Sequence, residues 1–588
     1  MHLRPAFLAL LLVLAVCPYF IDLDGSSIWD ANEAFYVETP REMIESGDYV
    51  SPSFNYEPRL NKPVLSYWIV AGFYHLFGVS PGVQRIPIAI GAVVMIGTAF
   101  LLAWAAASPA WGRAAGQAEL KRRAPNAGDT EMTRGAPGEG NEETNLRAAG
   151  ALQAALWAAL GLAIAPRLLM FARRIFIDIY ISMFMGLTLL AFVLAERYPR
   201  RRRTWLLLMY VAAALGVLTK GPIATVLPAA VFLAYLLVYR ELRRLRDMML
   251  PTGALVMAAL VMPYYWALYA RHGWAPIGTF LLGENVARFT EGVGVDSPRG
   301  PFFYLPVIFT DSFPWSLFLV ASIGACVAAW RRKAHGAAEH RVRTLLWLWI
   351  AVIVLFFTAS TAKQDLYIFP IVPAVAALGG LVVTEQRGWP VRGALLVVGA
   401  VAAVAGAGML YLIGSPNGVY GVDGAPVMGA AGLGGGLLIL AFAAADRIRP
   451  SLVAAVATFI LLAWIFVLRV LPGFERYKPA PGFAATLHGR LQPGDVLVTY
   501  DEAMPSLVFY LRRHVDPLFD TDELTAAFGS GRTVYAIMSD RNYDALRPHL
   551  PGPTCIVESR PTFDVRLRTM LAREPLPELV LVSNRCEG

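Results

Sequence analysis

QRIPIAIGAVVMIGTAFLLAWAAAS, residues 84–108, is the stretch of sequence that decides the fold class of this chain. After Arg85 it contains no charged side chain, and its apolar residues occupy every face of a helix rather than one stripe. A helix at the surface of a soluble protein keeps one polar face, whereas about 20 consecutive apolar residues are needed to cross a bilayer. The stretch therefore predicts a transmembrane helix.

Comparable apolar stretches recur along the chain and give it an unusual composition. Hydrophobic residues make up 56% of it and charged residues 16%, whereas soluble domains contain about 45–50% and about 25%. We predict about thirteen spans and, over residues 1–471, an all-α polytopic membrane domain. The predicted spans cover residues 5–22, 84–108, 150–168, 178–195, 204–219, 222–239, 250–269, 304–329, 344–361, 366–383, 392–413, 426–445 and 451–471.

The short loops between the spans differ in charge. The even-numbered loops are rich in arginine and lysine, and the odd-numbered loops are nearly free of them. Because cytoplasmic loops carry the excess of positive charge, we predict a cytoplasmic N-terminus and, with an odd number of spans, an extracytoplasmic tail. These loops also explain the net charge of +8 without any binding to nucleic acid. They contain Lys121 to Arg123, Arg200 to Arg203, Arg240 to Arg246, Arg331 to Lys333, Arg387 with Arg392, and Arg447 with Arg449.

Three long segments interrupt the spans, and a different pattern follows the last span. Residues 22–83 and 270–303 are predicted outer loops, and residues 111–149, rich in Gly, Glu, Arg and Asn, are predicted to form a flexible cytoplasmic insert. In residues 472–588 short buried strands alternate with helical stretches, which predicts a small extracytoplasmic α/β domain. The predicted strands are 495–500, 533–538, 555–558 and 579–582.

The four cysteines form no CxxC motif. Cys17 and Cys326 lie in apolar stretches, which predicts that they are inert, whereas Cys555 and Cys586 lie in the tail. A disulfide between the last two would be compatible with an extracytoplasmic tail, but their spacing alone does not decide whether they pair.

Charged residues on the outer side run against the pattern of the loops. Charge near the membrane is costly, so its presence there suggests function. Asp30 and Glu33 directly follow the first span and would lie at the lip of any cavity between spans. Lys62, before a proline and an apolar aromatic helix, suits an anion such as a phosphate. The alternative for Lys62 is a lysine that snorkels at the interface.

More charges of this kind gather at the outer ends of other spans. Arg174 and Asp178 share one helix face if the helix continues through both, either as a structural ion pair or as part of a site. Several outward cations beside a few carboxylates suit a ligand that has a phosphate and a polar group to be deprotonated. The remaining members of this set are Lys220, Glu284, Arg288, Lys363 and Tyr367.

With these residues the chain resembles the polyprenyl-phosphate-sugar-dependent glycosyltransferases of the GT-C fold. Among them it is most similar to the bacterial lipid A aminoarabinose transferases and the related protein mannosyltransferases. The resemblance covers nearly the whole chain, and its ordered set of motifs is specific although each motif alone is weak. The segments that carry it are 29–43, Asn61-Lys62-Pro63, 174–178, 218–222, 284–289, Pro314-Trp315 and 362–373.

The resemblance implies an inverting glycosyltransferase at the outer face of the bacterial inner membrane. Its partners would be a polyprenyl-phosphate-linked sugar, membrane lipids, and a lipid A-like lipid, a glycan or a protein as acceptor. Lys62, Arg174, Arg288 and Lys363 would bind the donor phosphate, and a carboxylate would orient or deprotonate the acceptor. The catalytic candidates are Asp30, Glu33 and Asp178, and the other pocket residues are Asn32, Lys220, Glu284, Asn285 and Tyr367.

Three amides stand where this family has other side chains. Asn32 replaces the proposed catalytic aspartate, and because an amide is not a base, its role falls to Asp30 or Glu33 unless the acceptor needs no deprotonation. Asn61 and Asn285 replace a glutamate and a histidine, which removes plausible metal ligands. No metal site is therefore predicted and no cofactor is required, although a divalent metal is left open.

Two other functions fit a chain of this kind. A flippase or transporter of lipid-linked sugars would show internal repeats and charge at mid-membrane, whereas no repeat is found and the charges lie at outer ends of spans. An inactive homologue that serves as a membrane scaffold is suggested by Asn32. The sugar and the acceptor stay open, among them a lipid A phosphate, a polysaccharide, a protein hydroxyl and another lipid.

Overall fold

The computed structural model describes most of the chain. The described residues are 3–30, 32–108, 139–174, 177–291, 299–331, 338–385, 388–413, 420–563 and 566–586. Residues 111–138 of the predicted insert 111–149 lie outside the described residues. The same is true of the basic residues Lys121 to Arg123, Arg332, Lys333 and Arg387.

Long apolar helices form the bulk of the described residues. Nine of them are long and apolar enough to cross a membrane. They contain few charges because a charged side chain is costly in the bilayer core, where water is absent. A helix suits this environment because it pairs its own backbone N–H and C=O groups. The nine are Pro81–Ala107, Asp178–Arg197, Pro199–Lys220, Leu250–His272, His340–Ala359, Asp365–Glu385, Trp389–Leu412, Ala425–Ala444 and Ile448–Gly473.

Two further spans are broken. Helices Ala148–Ala163 and Pro166–Ala172 meet at 61°, and Tyr304–Asp311 and Trp315–Gly324 meet at 115°. A proline lies at each break, where it removes a backbone donor and ends the preceding helix. With the shorter apolar helices Pro5–Tyr19 and Ile223–Val238, these helices coincide with all of the predicted spans. The predicted all-α membrane domain is thereby confirmed.

The helices differ in how deeply they are buried within the bundle. In Asp178–Arg197 and Asp365–Glu385, 89% of an 18-residue apolar stretch of the helix is buried within the protein, against 17% in Leu250–His272. The buried indole of Trp315 lies against two glycines, and an added Cβ would come within 2.2 Å of it at Gly161 and 2.6 Å at Gly379. The small residues therefore allow the broken span to pack closely against its neighbours.

The two segments predicted to be outer loops, called the first and second outer loop below, are folded. Residues 22–83 contain helix Asn32–Ser46, a hairpin of β1 (Ser53–Phe54) and β2 (Glu57–Pro58), and helix Leu65–Phe77. The two hairpin turn residues have positive φ values of 59° and 62°, which is the conformation of a tight type I′ turn. The second outer loop continues helix Leu250–His272 as helix Ala275–Gly278, the π-helical turns Thr279–Ala287 and helix Arg288–Glu291.

The C-terminal part contains a five-stranded sheet in the order β4-β3-β5-β7-β6. Strand β3 is parallel to β4 and β5, and β7 is antiparallel to β5 and β6. The predicted α/β character is confirmed, and β4 was missed because it is only three residues long and contains a proline. The strands are β3 (Val496–Tyr500), β4 (Asp516–Leu518), β5 (Val534–Ser539), β6 (Cys555–Pro561) and β7 (Glu578–Ser583).

Helices flank this sheet, and a disulfide joins the segment that follows β7 to strand β6. Cys555 at the start of β6 is bonded to Cys586, and their Cα atoms are 5.7 Å apart. Cys17 and Cys326 are free. The helices are Pro479–His488, Ser506–Leu511, Thr521–Phe528, Asp540–Leu546 and Leu567–Ala572.

Candidate active site

A cavity of about 370 Å³ lies between the membrane helices and the outer loops. Most of its walls are apolar, and several charged side chains share them. Lys62, Asp178, Lys220, Glu284 and Arg288, here called the cavity cluster, all line it. The other lining residues are Ile181, Met185, Pro222, Ile223, Val226, Leu227, Phe280, Asn285, Val286, Phe289, Phe356, Phe357, Ser360, Leu366, Tyr367 and Pro370.

Glu284 connects two cations of the cavity cluster. Its Oε2 accepts a hydrogen bond from Lys62 Nζ at 2.8 Å and lies 3.3 Å from Arg288 Nη1. Burial alone would raise the pKa of Glu284, but the hydrogen bond with Lys62 and the neighbouring cations lower it. Burial lowers the pKa of Lys62, and the contact with Glu284 opposes that shift. The three groups therefore form a charged bridge between the two outer loops.

Asp178 and Lys220 form the second pair of the cavity cluster. The Lys220 ammonium donates a hydrogen bond to Asp178 Oδ1, and the ammonium lies 5.6 Å from the centre of the Tyr367 ring. Asp178 begins one membrane helix and Lys220 ends the next described one. The side chain of Asp178 is 7% exposed. This carboxylate is therefore held at a wall between helices.

Local backbone features shape the cavity wall beside Lys220. Gly221 has φ +96°, and a Cβ there would lie 2.7 Å from the Phe280 ring. Glycine accepts this backbone conformation without the strain that a side chain would add. Asn285 donates from Nδ2 to the Phe280 carbonyl at 2.7 Å and so supports the π-helical turn that carries Glu284.

Lys363 was expected to bind the donor phosphate, but it does not line the cavity. It is 8% exposed, and its ammonium donates to the Ser360 carbonyl at 2.6 Å. The same turn is tied to the second outer loop, because the Thr361 amide donates to the Phe289 carbonyl at 2.9 Å. In this geometry Lys363 supports the turn beside the cavity rather than facing into it.

Asp30 lies away from the cavity lining, at the contact with the C-terminal sheet. It accepts hydrogen bonds from the Ser506 amide at 2.8 Å and the Ser506 hydroxyl at 2.7 Å. Burial raises the pKa of Asp30 to about 6, against the lowering effect of these hydrogen bonds. Ser506 starts a helix that follows β3. Asp30 therefore joins the first outer loop to the tail.

Glu33 is also separate from the cavity lining, in a buried ion pair. Arg85 donates to it from Nε at 2.8 Å, and both side chains are 1% exposed. Arg85 also donates to the carbonyls of Leu23 and Ser26 at 2.7 and 2.6 Å. Glu33 in turn accepts from the Trp29 amide at 2.8 Å. The pair fixes the loop that follows the first span.

Arg174 belongs to the same region. Its guanidinium lies 4.3 Å from the centre of the Trp29 ring, and the Lys478 ammonium lies 3.9 Å from that ring. Arg174 and Asp178 do not share one helix, so the condition for a common helix face is not met: one helix ends at Ala172 and the next begins at Asp178. Asp30, Glu33, Arg85, Arg174 and Lys478 are called the interface cluster below.

Sequence reasoning grouped the two clusters together and missed two of their members, Arg85 and Lys478, as well as Ser506, which binds Asp30. Arg85 carries the same signal as the others, a cation at the outer end of a span, and Lys478 lies just beyond the last span. Ser506 gives no such signal. Asn32 starts its helix with an exposed side chain and is not among the residues lining the cavity. Within the described residues, no three His, Cys, Asp or Glu side chains come together as a metal site would require.

This chain, with its helical membrane domain, folded outer loops and C-terminal α/β unit, has the GT-C class of membrane fold. The particular likeness is to ArnT. The crystal structure of ArnT from Cupriavidus metallidurans bound to undecaprenyl phosphate superposes with a TM-score of 0.73 at 21% identity, covering 100% of this chain and 99% of that chain. The expected resemblance to this group of proteins is confirmed.

Sequence comparisons agree with this likeness. Residues 148–266 match the family described as dolichyl-phosphate-mannose-protein mannosyltransferase. An undecaprenyl phosphate-alpha-4-amino-4-deoxy-L-arabinose arabinosyl transferase of Pseudomonas fluorescens is 28% identical over 62% of this chain and 56% of its own length. The transferase of the same name from Pseudomonas aeruginosa strain LESB58 is 28% identical over 69% of this chain and 63% of its own length. The chain thus spans less than two thirds of these curated relatives.

Proposed function

We propose that the chain is an inverting glycosyltransferase that moves a sugar from a polyprenyl-phosphate donor to an acceptor of the cell envelope. The observation that carries the proposal is the cavity, in which three cations share mostly apolar walls. An amphiphile with one phosphate and a long hydrocarbon tail has the matching chemistry, because cations bind the phosphate and apolar walls bind the tail. The acceptor is a lipid A-like lipid, a glycan or a protein.

The relatives support this donor. The two Pseudomonas transferases are named for undecaprenyl phosphate-alpha-4-amino-4-deoxy-L-arabinose, and the similar ArnT structure is bound to undecaprenyl phosphate. That aminoarabinose lipid is therefore the first donor to test. Because the leaving group is already a phosphate, the reaction needs no nucleotide.

In the proposed step the bond between the anomeric carbon and the phosphate oxygen breaks. The electron pair stays on that oxygen, so the released lipid phosphate carries an additional negative charge. Lys62, Lys220 and Arg288 stabilise this charge as it develops, and electrostatic stabilisation of this kind is usually the largest single contribution to catalysis. The acceptor oxygen bonds to the anomeric carbon from the opposite face, which inverts the configuration.

Asp178 is the proposed base in this step. When the acceptor is a hydroxyl its proton passes to a carboxylate, and Asp178 is the buried carboxylate of the cavity. An acceptor that is already ionised, such as a phosphate, needs no base. Asp30 and Glu33 are less suited, because neither lines the cavity and because Ser506 and Arg85 engage both oxygens of each, whereas Lys220 pairs with Oδ1 of Asp178. Their proposed role is to hold the outer loop in place.

We propose that the chain lies in the bacterial inner membrane with its N-terminus in the cytoplasm and its tail outside. The basic even-numbered loops support this orientation. The disulfide in the tail also supports it, because disulfides persist in oxidising compartments. Fusions of alkaline phosphatase and of green fluorescent protein to the tail test it. Phosphatase activity without fluorescence is expected, and the reverse pattern contradicts the orientation.

The activity is tested with purified full-length protein in liposomes that contain the donor labelled in its sugar. We expect transfer of label to lipid A and release of undecaprenyl phosphate. Asp178→Asn should lower the rate at least about 100-fold with a hydroxyl acceptor. The matched control is Arg271→Ala, which removes an outer cation that is 51% exposed and pairs with Asp48 outside the cavity.

The outcomes of this experiment separate the candidate functions. Label that crosses the bilayer still attached to its lipid would favour the flippase instead. If, with a hydroxyl acceptor, Arg271→Ala lowered the rate as much as Asp178→Asn, the cavity would not be the active site. If neither lipid A, envelope glycan nor envelope protein accepted label, the enzyme proposal would fail.

A further inference from the structure

The two carboxylates of the cavity cluster differ in their access to a ligand. Asp178 is 7% exposed and pairs with one cation, Lys220. Glu284 is 25% exposed and lies between two cations, with Lys62 at 2.8 Å and Arg288 at 3.3 Å. A phosphate oxygen that bridged the same two cations would occupy the position of the Glu284 carboxylate. Glu284 is therefore the carboxylate that an incoming phosphate meets.

The charges of the cavity can be compared with those of its two lipids. The cavity cluster has three cationic side chains and two carboxylates, so one positive charge is in excess when all are ionised. The donor is a phosphodiester with one negative charge. The spent lipid is a phosphomonoester, whose second ionisation has a pKa near about 6. The cavity can therefore neutralise the donor phosphate but not the spent lipid above that pH.

Uncompensated charge is costly where water is largely excluded. We propose that Glu284 makes the cavity prefer the donor phosphodiester to the spent phosphomonoester, so that the product leaves after each turnover. This role rests on the proposed function. Glu284 bridges Lys62 and Arg288 until a phosphate takes its place, and it then repels the second negative charge that the reaction creates.

The surroundings of Glu284 favour its ionised form, so the ligand is the group whose charge changes with pH. Burial would raise the pKa of Glu284, but the hydrogen bond with Lys62 and the nearby guanidinium groups lower it. Lys62, Arg288 and Arg59 act on the Glu284 carboxylate, Tyr36 is coupled to it, and Lys220 and Asp178 are the other charged groups of the cavity cluster. Arg59 does not line the cavity, so the charge balance of the lining residues is unchanged.

The test is a binding measurement on the purified full-length protein in detergent. The two probes are undecaprenyl phosphate, the monoester, and its methyl ester, a diester of equal tail length. At pH 8 we expect Glu284→Gln to raise the ratio of monoester to diester affinity about tenfold, because one repulsive charge is removed. At pH 5.5, where the monoester carries mostly one charge, the ratio should change little.

Two matched variants separate charge from shape. Glu284→Asp keeps the charge and should keep the wild-type ratio. Glu291→Gln removes an exposed carboxylate of the same loop that does not line the cavity, and it should also keep that ratio. Multiple-turnover assays should show stronger inhibition by undecaprenyl phosphate in Glu284→Gln than in the wild type.

Each outcome decides one question. An unchanged ratio in Glu284→Gln, with both lipids bound and the wild type active, would overturn the role of Glu284 and leave the proposed function intact. Equal changes in Glu284→Gln and Glu284→Asp would also overturn it, since shape would then be responsible. If the wild type bound neither lipid, the proposed function would fall and the role of Glu284 with it.

Discussion

The cavity cluster and the interface cluster are built from the same kinds of residue but are arranged differently. Both place cations beside carboxylates on the predicted outer side. In the interface cluster Glu33 and Arg85 are each 1% exposed. In the cavity cluster Lys62 and Glu284 are 21% and 25% exposed and face a cavity. A ligand can therefore compete for the second pair but not for the first.

This difference teaches what charge near a membrane can and cannot indicate. Its cost means that such a residue has a partner, but the partner can be another side chain of the protein or a ligand. The interface cluster satisfies its charges internally and fixes the first outer loop against the tail. The cavity cluster satisfies them in pairs that a phosphate could replace. We therefore expect mutations in the two clusters to damage different properties.

The largest expected effect is on turnover in Lys62→Met. This change keeps much of the side-chain volume but removes a cation that is proposed to stabilise the leaving phosphate. We expect the rate to fall about 100-fold or more, while the thermal unfolding midpoint stays within a few degrees of the wild type. Transfer of labelled sugar and unfolding in detergent would be measured on the same preparation. Wild-type turnover would remove Lys62 from the proposed site.

The reverse pattern is expected for Arg85→Met in the interface cluster. The change leaves the buried Glu33 carboxylate without its cation, and breaking a buried pair in this way typically costs about 3–5 kcal/mol. We expect a clearly lower unfolding midpoint, and partial recovery in the double variant Arg85→Met with Glu33→Gln. A stable but inactive Arg85→Met would place this residue in the chemistry and erase the distinction between the clusters.

The sequence predicted the membrane fold and the residues of the cavity cluster, but it did not separate them from the residues of the interface cluster. A long apolar stretch in a bilayer is stable as a helix that pairs its own backbone groups, so the positions of the spans could be predicted from the sequence. The cavity residues Lys62, Asp178, Lys220, Glu284 and Arg288 were all found from charges on the predicted outer side. The same rule also selected Asp30, Glu33 and Arg174, because it records on which side of the membrane a charge lies and not which group it pairs with.

What the sequence could not supply is the pairing across distant parts of the chain. Asp30 meets Ser506 from the tail, and Asp178 pairs with Lys220 rather than with Arg174. Both facts depend on how separate helices pack, which no local pattern records. Strand β4 was missed for a different reason, because three residues are too few to show an alternating pattern.

A smaller effect is expected from a matched pair of glycine substitutions. Gly221→Ala and Gly273→Ala both place a side chain at positive φ, +96° and +68°, with an extended ψ that glycine alone adopts readily, which costs about 1–3 kcal/mol. Only at Gly221 would the new Cβ meet another group, the Phe280 ring of the cavity wall. Both variants should lose stability, Gly221→Ala more than Gly273→Ala because of this contact, and Gly221→Ala alone should lose turnover, by about tenfold. Equal turnover in the two would mean that this wall does not shape the site.

The smallest expected effect concerns pH at the contact between Asp30 and Ser506. Burial raises the pKa of Asp30 to about 6, above its ordinary value of 3.8. The folded protein therefore holds this proton more tightly than the unfolded chain, so the contribution of Asp30 to stability is greatest below about pH 4. It is lost as the pH rises to about 6 and is constant above that.

Asp30→Asn removes this titration while an amide oxygen can still accept a hydrogen bond from Ser506. We expect the unfolding midpoint of the variant to depend less on pH between 4 and 6 than that of the wild type. The variant should keep turnover near the wild-type value at pH 8, because Asp30 lies outside the cavity lining. A large loss of turnover at unchanged stability would return Asp30 to the list of catalytic candidates. The two clusters would then differ in burial but not in role.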